Sequence, residues 1–145
     1  MTNYDRDFYA WTQEQAKLLR DHRTDLLDWE NLSEEIESLG KRERQELRNR
    51  LAILIGHLLK WQHQPGNQST SWKATIREQR LQLTQHLQDN PSLKPYIPEA
   101  LELAYPRAMN LAIRETGLEV FPETCPYRLE QVLNEAFFPA SSVIG

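Results

Sequence analysis

Between Lys41 and Gln64 the sequence reads "KRERQELRNRLAILIGHLLKWQHQ". Leu47, Leu51, Leu54, Leu58 and Trp61 step through it by four, three, four and three residues. That spacing returns a side chain to the same side of an α-helix every turn, so the stretch predicts a long helix with an apolar seam for neighbouring helices.

The segments on either side follow the same logic. "PGNQSTS" (65–71) stops the helix at Pro65 and Gly66 and offers Ser69, Thr70 or Ser71 as the cap of the next one. That next helix sets Trp72, Ile76, Leu83 and Leu87 on one side. "DNPSLKPYIP" (89–98) is a second break, followed by a helix from Glu99 to Thr116 through Leu101, Ala104, Tyr105, Ala108, Leu111 and Ala112. Pro106 lies inside it and is expected to kink or split it, because proline lacks the amide hydrogen and crowds the preceding turn. Gly117 is expected to end it, and "VFPETCPY" (120–127) to form a turn before a last short helix over Leu129–Phe138.

Towards the N-terminus, "ENLSEEIESLG" (30–40) predicts a separate helix. Asn31 would cap it, Glu34 stands where a capping box wants a carboxylate, Leu32, Ile36 and Leu39 share a face, and Gly40 would stop it. Phe8, Trp11, Leu18 and Leu19 predict an amphipathic helix of roughly four turns before that. No segment alternates apolar and polar residues. The expected fold is all-α, a compact helical bundle of about five to six helices around a long central helical hairpin, with residues 1–145 forming one domain.

Composition narrows the classes. The longest apolar run, "LAILIGHLL" (51–59), falls far short of the ~20 residues that span a bilayer, and the N-terminus does not read as a secretory signal. Cys125 is the single cysteine, which excludes an internal disulfide framework and fits a reducing, cytoplasmic setting. Residues 41–80 hold nine Lys and Arg against three Glu, whereas Asp21–Leu39 holds seven acids and only Arg23. This asymmetry could serve an anionic partner or could be neutralised within the fold.

Chemistry-bearing patterns are sparse. No histidine has an acid three residues before it, no His-Glu-x-x-His string occurs, and the five glycines do not gather into a phosphate-binding loop. Metal and cofactor are therefore expected to be absent. Glu34 and Glu37 could reach His57 from another helix, but pairing with the arginines of the basic segment is the simpler reading. Cys125 reads as a buried or idle thiol rather than a nucleophile. Arg50, His57 and Arg80 fall on otherwise apolar stripes, where a histidine is usually hydrogen-bonded and an arginine must be paired, with Glu34, Glu37 or Glu46 as the expected partners. Lys60, Lys73 and Arg77 are expected to point outward, and with Trp61 and Trp72 they form the candidate binding set.

The strings "YDRDFYAWTQEQ", "ENLSEEIESLGKRERQEL", "HLLKWQHQP", "SWKATIREQR", "NPSLKPY" and "ETGLEVFPETCPY", in this order from Tyr4 to Phe138, resemble a bacterial family, frequent in cyanobacteria, known as domain of unknown function twenty-nine. The resemblance implies a compact all-helical cytosolic protein and brings no accepted catalytic residues. Its shared positions include Asn31, Glu34, Glu37, Gly40, His57, Lys60, Trp61, Trp72, Ile76, Glu78 and Arg80; Pro106 departs from the pattern. Three functions stay open. The first is an adaptor or regulatory module docking a protein or RNA through residues 41–80. The second is a phosphodiester hydrolase with His57 as acid/base, Arg80 or Lys60 steadying the anion, and Glu34 nearby. The third is a homo-oligomer built on the long heptad-like face.

Overall fold

The computed structural model describes residues 3–141, and among these no strand occurs. Five α-helices follow one another: α1 (Phe8–Arg20), α2 (Trp29–His63), α3 (Thr70–Asp89), α4 (Ile97–Thr116) and α5 (Leu129–Leu133), with 3₁₀ turns at Pro65–Asn67 and Pro91–Tyr96. The protein is all-α. Its residues gather into two compact units, 1–43 and 44–145, and α2 starts in the first and ends in the second.

In the first unit, Asp7 caps α1 by accepting the Ala10 amide at 3.0 Å. Trp11 and Gln15, one turn apart, are the buried residues of that helix. Asp28, rather than the expected Asn31, caps α2. Its carboxylate accepts the Asn31 backbone amide at 3.3 Å, the Asn31 side-chain amide at 2.8 Å and the Trp11 indole N–H at 2.9 Å. The Gln15 carbonyl oxygen accepts the Asp28 amide at 2.8 Å, which closes the connection. The Tyr4 hydroxyl donates to Glu35, and the Tyr4, Phe8 and Trp11 rings pack edge to face and stacked with centroids 4.8–5.6 Å apart.

The break expected at Gly40 is absent. Helix α2 runs through it for 35 residues. A glycine ends a helix when it takes a left-handed conformation; Gly117 does so at φ 74°, its amide returning to Ile113 at 2.8 Å, whereas Gly40 keeps a negative φ. Strong helix formers on both sides carry the chain across it.

In the second unit the predicted seam is the core. Leu47, Leu51, Leu54 and Leu58 of α2 meet Ile76 and Leu83 of α3 and Ala100, Ala104, Ala108 and Ala112 of α4, all with no exposed surface. Each buried leucine contributes about 1.5–3 kcal/mol. The seam is therefore consumed within its own unit. The alanine column lets helices approach closely: a Cβ added at Gly56 would lie 2.8 Å from Leu111 Cδ2 and 3.2 Å from the Ala108 carbonyl oxygen.

Ser69 caps α3 by accepting the Trp72 amide at 3.1 Å. Helix α4 is not split at Pro106; the proline sits on an exposed face, where the carbonyl it frees one turn earlier can meet water. The last helix is shorter than expected and stops at Leu133, with Asn134 already extended at ψ 118°.

The two helical glycines give opposite expectations for one substitution. Gly40→Ala meets nothing within 4 Å and should raise stability by about 1 kcal/mol. Gly56→Ala should lower it by about 1–2 kcal/mol, crowding outweighing the gain in propensity. Urea unfolding followed by helical circular dichroism measures both.

Candidate functional site

The candidate residues lie mainly on the hairpin of α2 and α3, together with the C-terminal segment around α5. Lys60 does not point outward. It is 3% exposed, its Nζ lies 2.9 Å from Glu115 Oε1, and it sits 4.4 Å from the centroid of the Trp72 ring. An ammonium this deep must be paired, and its pairing takes it out of the basic rim. Trp61 is half-buried, its ring 4.9 Å from that of Phe138, and its carbonyl accepts the Gln68 side-chain amide at 3.0 Å. Trp72 is also half-buried, so neither tryptophan is a free stacking platform.

His57 donates from Nδ1 to the Ile53 carbonyl, 2.9 Å away, one turn back along α2. Burial is the main cause that pushes its pKa below the usual value, with Lys60 adding to the depression and the Ile53 bond and Glu115 opposing it. The ring is held neutral with its tautomer fixed. Glu34 belongs to the first unit, where it is exposed on α2.

Arg80 is the largest fully buried side chain and is 1% exposed. Its partners are not the acids expected from the sequence. Nε donates to the Val132 carbonyl at 2.9 Å, Nη2 to Gln131 at 3.3 Å and Nη1 to Glu135 at 3.5 Å. The Gln131 and Val132 carbonyls lie in the last turn of α5 and that of Glu135 two residues beyond it; Gln131 also accepts the Asn134 amide at 3.3 Å. A cation there also meets the negative end of the helix. Glu46 holds Arg50 at 3.0 Å, a pairing the sequence allowed, and approaches His86 Nδ1 at 3.3 Å.

Lys73 and Arg77 are exposed on α3, as expected. Lys73 Nζ lies 5.9 Å from the Phe138 ring centroid, and Arg77 borders a hollow of about 280 Å³ with Arg80, Leu81 and Glu135. A larger hollow of about 450 Å³ lies beside Tyr105, Cys125 and Tyr127, with Glu102 and Glu123 in its lining. There the Cys125 thiol donates to the Tyr127 carbonyl at 3.5 Å, and burial pushes its pKa up, away from the thiolate a nucleophile needs. The Tyr105 hydroxyl donates to the Pro122 carbonyl, and burial pushes its pKa up to about 12.

Glu115 and Phe138 were missed by sequence reasoning. They sit 55 and 77 residues from their partners Lys60 and Trp61, so no local periodicity joins them.

Two outcomes follow from these surroundings. Arg80→Lys keeps the charge but loses the planar fork, and should cost about 2 kcal/mol in denaturant unfolding while detaching the segment after Leu133. His57 and His63 are both depressed by burial, so the unfolded chain binds more protons below about pH 6.5. Stability should be full above that pH and fall as the pH drops through it. Unfolding measured across this range should show a shallower fall for His57→Gln than for the wild type.

Among the described residues no helix is long and apolar enough to cross a membrane. No curated protein and no solved structure matches the chain. A family model matches residues 3–138, nearly the whole chain, a span that includes α1 to α5. The chain belongs to the family described as Domain of unknown function DUF29.

Proposed function

We propose that this chain is a cytoplasmic interaction module, of the adaptor or regulatory kind, that docks an acidic segment of a partner protein on the outer face of α3. One observation carries the reading: Lys73 and Arg77 remain exposed and form no ion pair among the described residues, whereas the neighbouring cations are used internally. Lys60 is held by Glu115, Arg50 by Glu46, and Arg80 by the α5 carbonyls. Lys73, Arg77 and Leu81 follow each other at four-residue steps, so they form a strip along one side of the helix. Leu81 is 58% exposed and supplies an apolar anchor beside the two cations. A guanidinium donates two parallel hydrogen bonds to a carboxylate, a geometry that an acidic side chain satisfies well.

The same accounting favours docking over phosphodiester hydrolysis. Arg80 and Lys60, which a hydrolase would turn on its substrate, are each engaged by groups of the protein itself. The net charge of -4 favours a protein partner over a nucleic acid.

The test uses the full chain and two fluorescent probes of equal charge, a glutamate- and leucine-containing peptide and a single-stranded RNA. The peptide should bind, and the double variant Lys73→Glu, Arg77→Glu should weaken it at least about tenfold with helicity unchanged. Tighter binding of the RNA would replace the peptide reading with a nucleic-acid one. Equal peptide binding by wild type and variant would remove the strip as the docking site.

A further inference from the structure

The hollow of about 450 Å³ beside α4 lies within the second unit and takes no part in the docking strip on α3. Its size falls in the range of roughly 300–1,000 Å³ usual for small-molecule sites. Tyr105 and Tyr127, 3% and 7% exposed, form its inner wall with Leu101, whereas Glu102 and Glu123 stand exposed at its mouth. The donors of the inner wall are spent. The Tyr105 hydroxyl donates to the Pro122 carbonyl, the Tyr127 hydroxyl to Gln62 Oε1 at 2.6 Å and the Cys125 thiol to the Tyr127 carbonyl at 3.5 Å. The acceptors at the mouth are not. Glu102 and Glu123 form no ion pair among the described residues. Pro106, which also lines the hollow, has no amide hydrogen to give the Glu102 carbonyl four residues earlier, so a main-chain acceptor at the same rim is left without its usual partner.

We propose that this hollow binds a small primary amine with an apolar body, its ammonium held at the mouth by the two carboxylates and the Glu102 carbonyl and its body laid against the tyrosines. The inference does not depend on the docking strip. An ammonium carries three donors and no acceptor, which matches a rim made of acceptors. Two carboxylates repel an anion, and a neutral ligand would leave them unused. A hard divalent cation seeks oxygen ligands and would make no use of the apolar wall. The order of the lining selects a free amine over the side chain of a lysine in a peptide. A lysine entering from its backbone would carry its charge to the inner wall and leave the carboxylates behind at the mouth.

Binding to the full chain is measured by calorimetry with three probes of one shape: phenethylamine, the neutral phenethyl alcohol and the anionic hydrocinnamate. The amine should bind at least about tenfold more tightly than either of the others. It should also slow alkylation by iodoacetamide of Cys125, the single cysteine and part of the lining. The double variant Glu102→Gln, Glu123→Gln changes exposed positions only, so it should keep its helicity and weaken the amine at least about tenfold. Pro106→Ala returns an amide to the Glu102 carbonyl and should weaken the amine roughly fivefold, the loss expected of one hydrogen bond. No binding of the amine, or equal affinity for all three probes, overturns the inference. So does amine binding undiminished in the glutamine variant, or alkylation of Cys125 unchanged at saturating amine. Tighter binding of acetyl-lysinamide, or of calcium ions, than of phenethylamine overturns the free amine as the occupant. Amine binding undiminished in Pro106→Ala removes the carbonyl from the site.

Discussion

A guanidinium with 1% of its surface exposed is intolerable without acceptors, because desolvating a charge costs several kcal/mol before any partner is counted. Arg80 meets that demand with three main-chain carbonyls around the end of α5 rather than with a carboxylate. The arrangement is reciprocal. A five-residue helix is too short to hold itself together, and its last carbonyls need donors as much as the arginine needs acceptors. The segment that follows supplies Phe138, whose ring covers both Trp61 and the Arg80 guanidinium, the latter 5.6 Å from its centroid. One buried charge thus fixes where the C-terminal segment runs. That segment walls the hollow beside Arg77 and Leu81.

Glycine shows how the same residue is read differently by its surroundings. Gly117 stops α4 because it takes a left-handed φ of 74°. Gly56 lies mid-helix, where a side chain would collide with Leu111 and the Ala108 carbonyl; its lack of one lets α2 and the alanine column of α4 lie close. Gly40 does neither within its own chain. A residue type marks a possibility, and packing decides which possibility is used.

The fold class and the core seam were legible in the sequence because both rest on local periodicity. Leu47 to Leu58, Ile76 and Leu83 fell where a 3.6-residue repeat put them, and Ser69 capped where the loop chemistry allowed. The inward lean of Arg80 was legible from its stripe. What escaped were events between distant residues. Glu115 lies 55 positions from Lys60, and no local signal told that this lysine would be buried rather than exposed. Asp28 prevailed over Asn31 as the cap because it also receives the Trp11 indole, a contact across 17 residues. Periodicity predicts which face a residue occupies; it does not predict which distant partner will neutralise it.

That distinction bears on function. Counted along the sequence, residues 41–80 look like a basic arm, yet the structure engages most of its cations internally. Arg48 donates to the Tyr96 hydroxyl at 2.6 Å, Arg44 lies over the Tyr96 ring at 4.6 Å, Arg50 pairs with Glu46 and Lys60 with Glu115. Cations held in this way cost more to recruit by a ligand, because each must first break an internal contact. Lys73 and Arg77 need break no ion pair. The few charges left over after folding, beside an exposed leucine, define a smaller and more selective surface than the linear charge count suggests. As the docking surface proposed for this chain, it would suit a short acidic segment better than the long uniform charge of a nucleic-acid backbone.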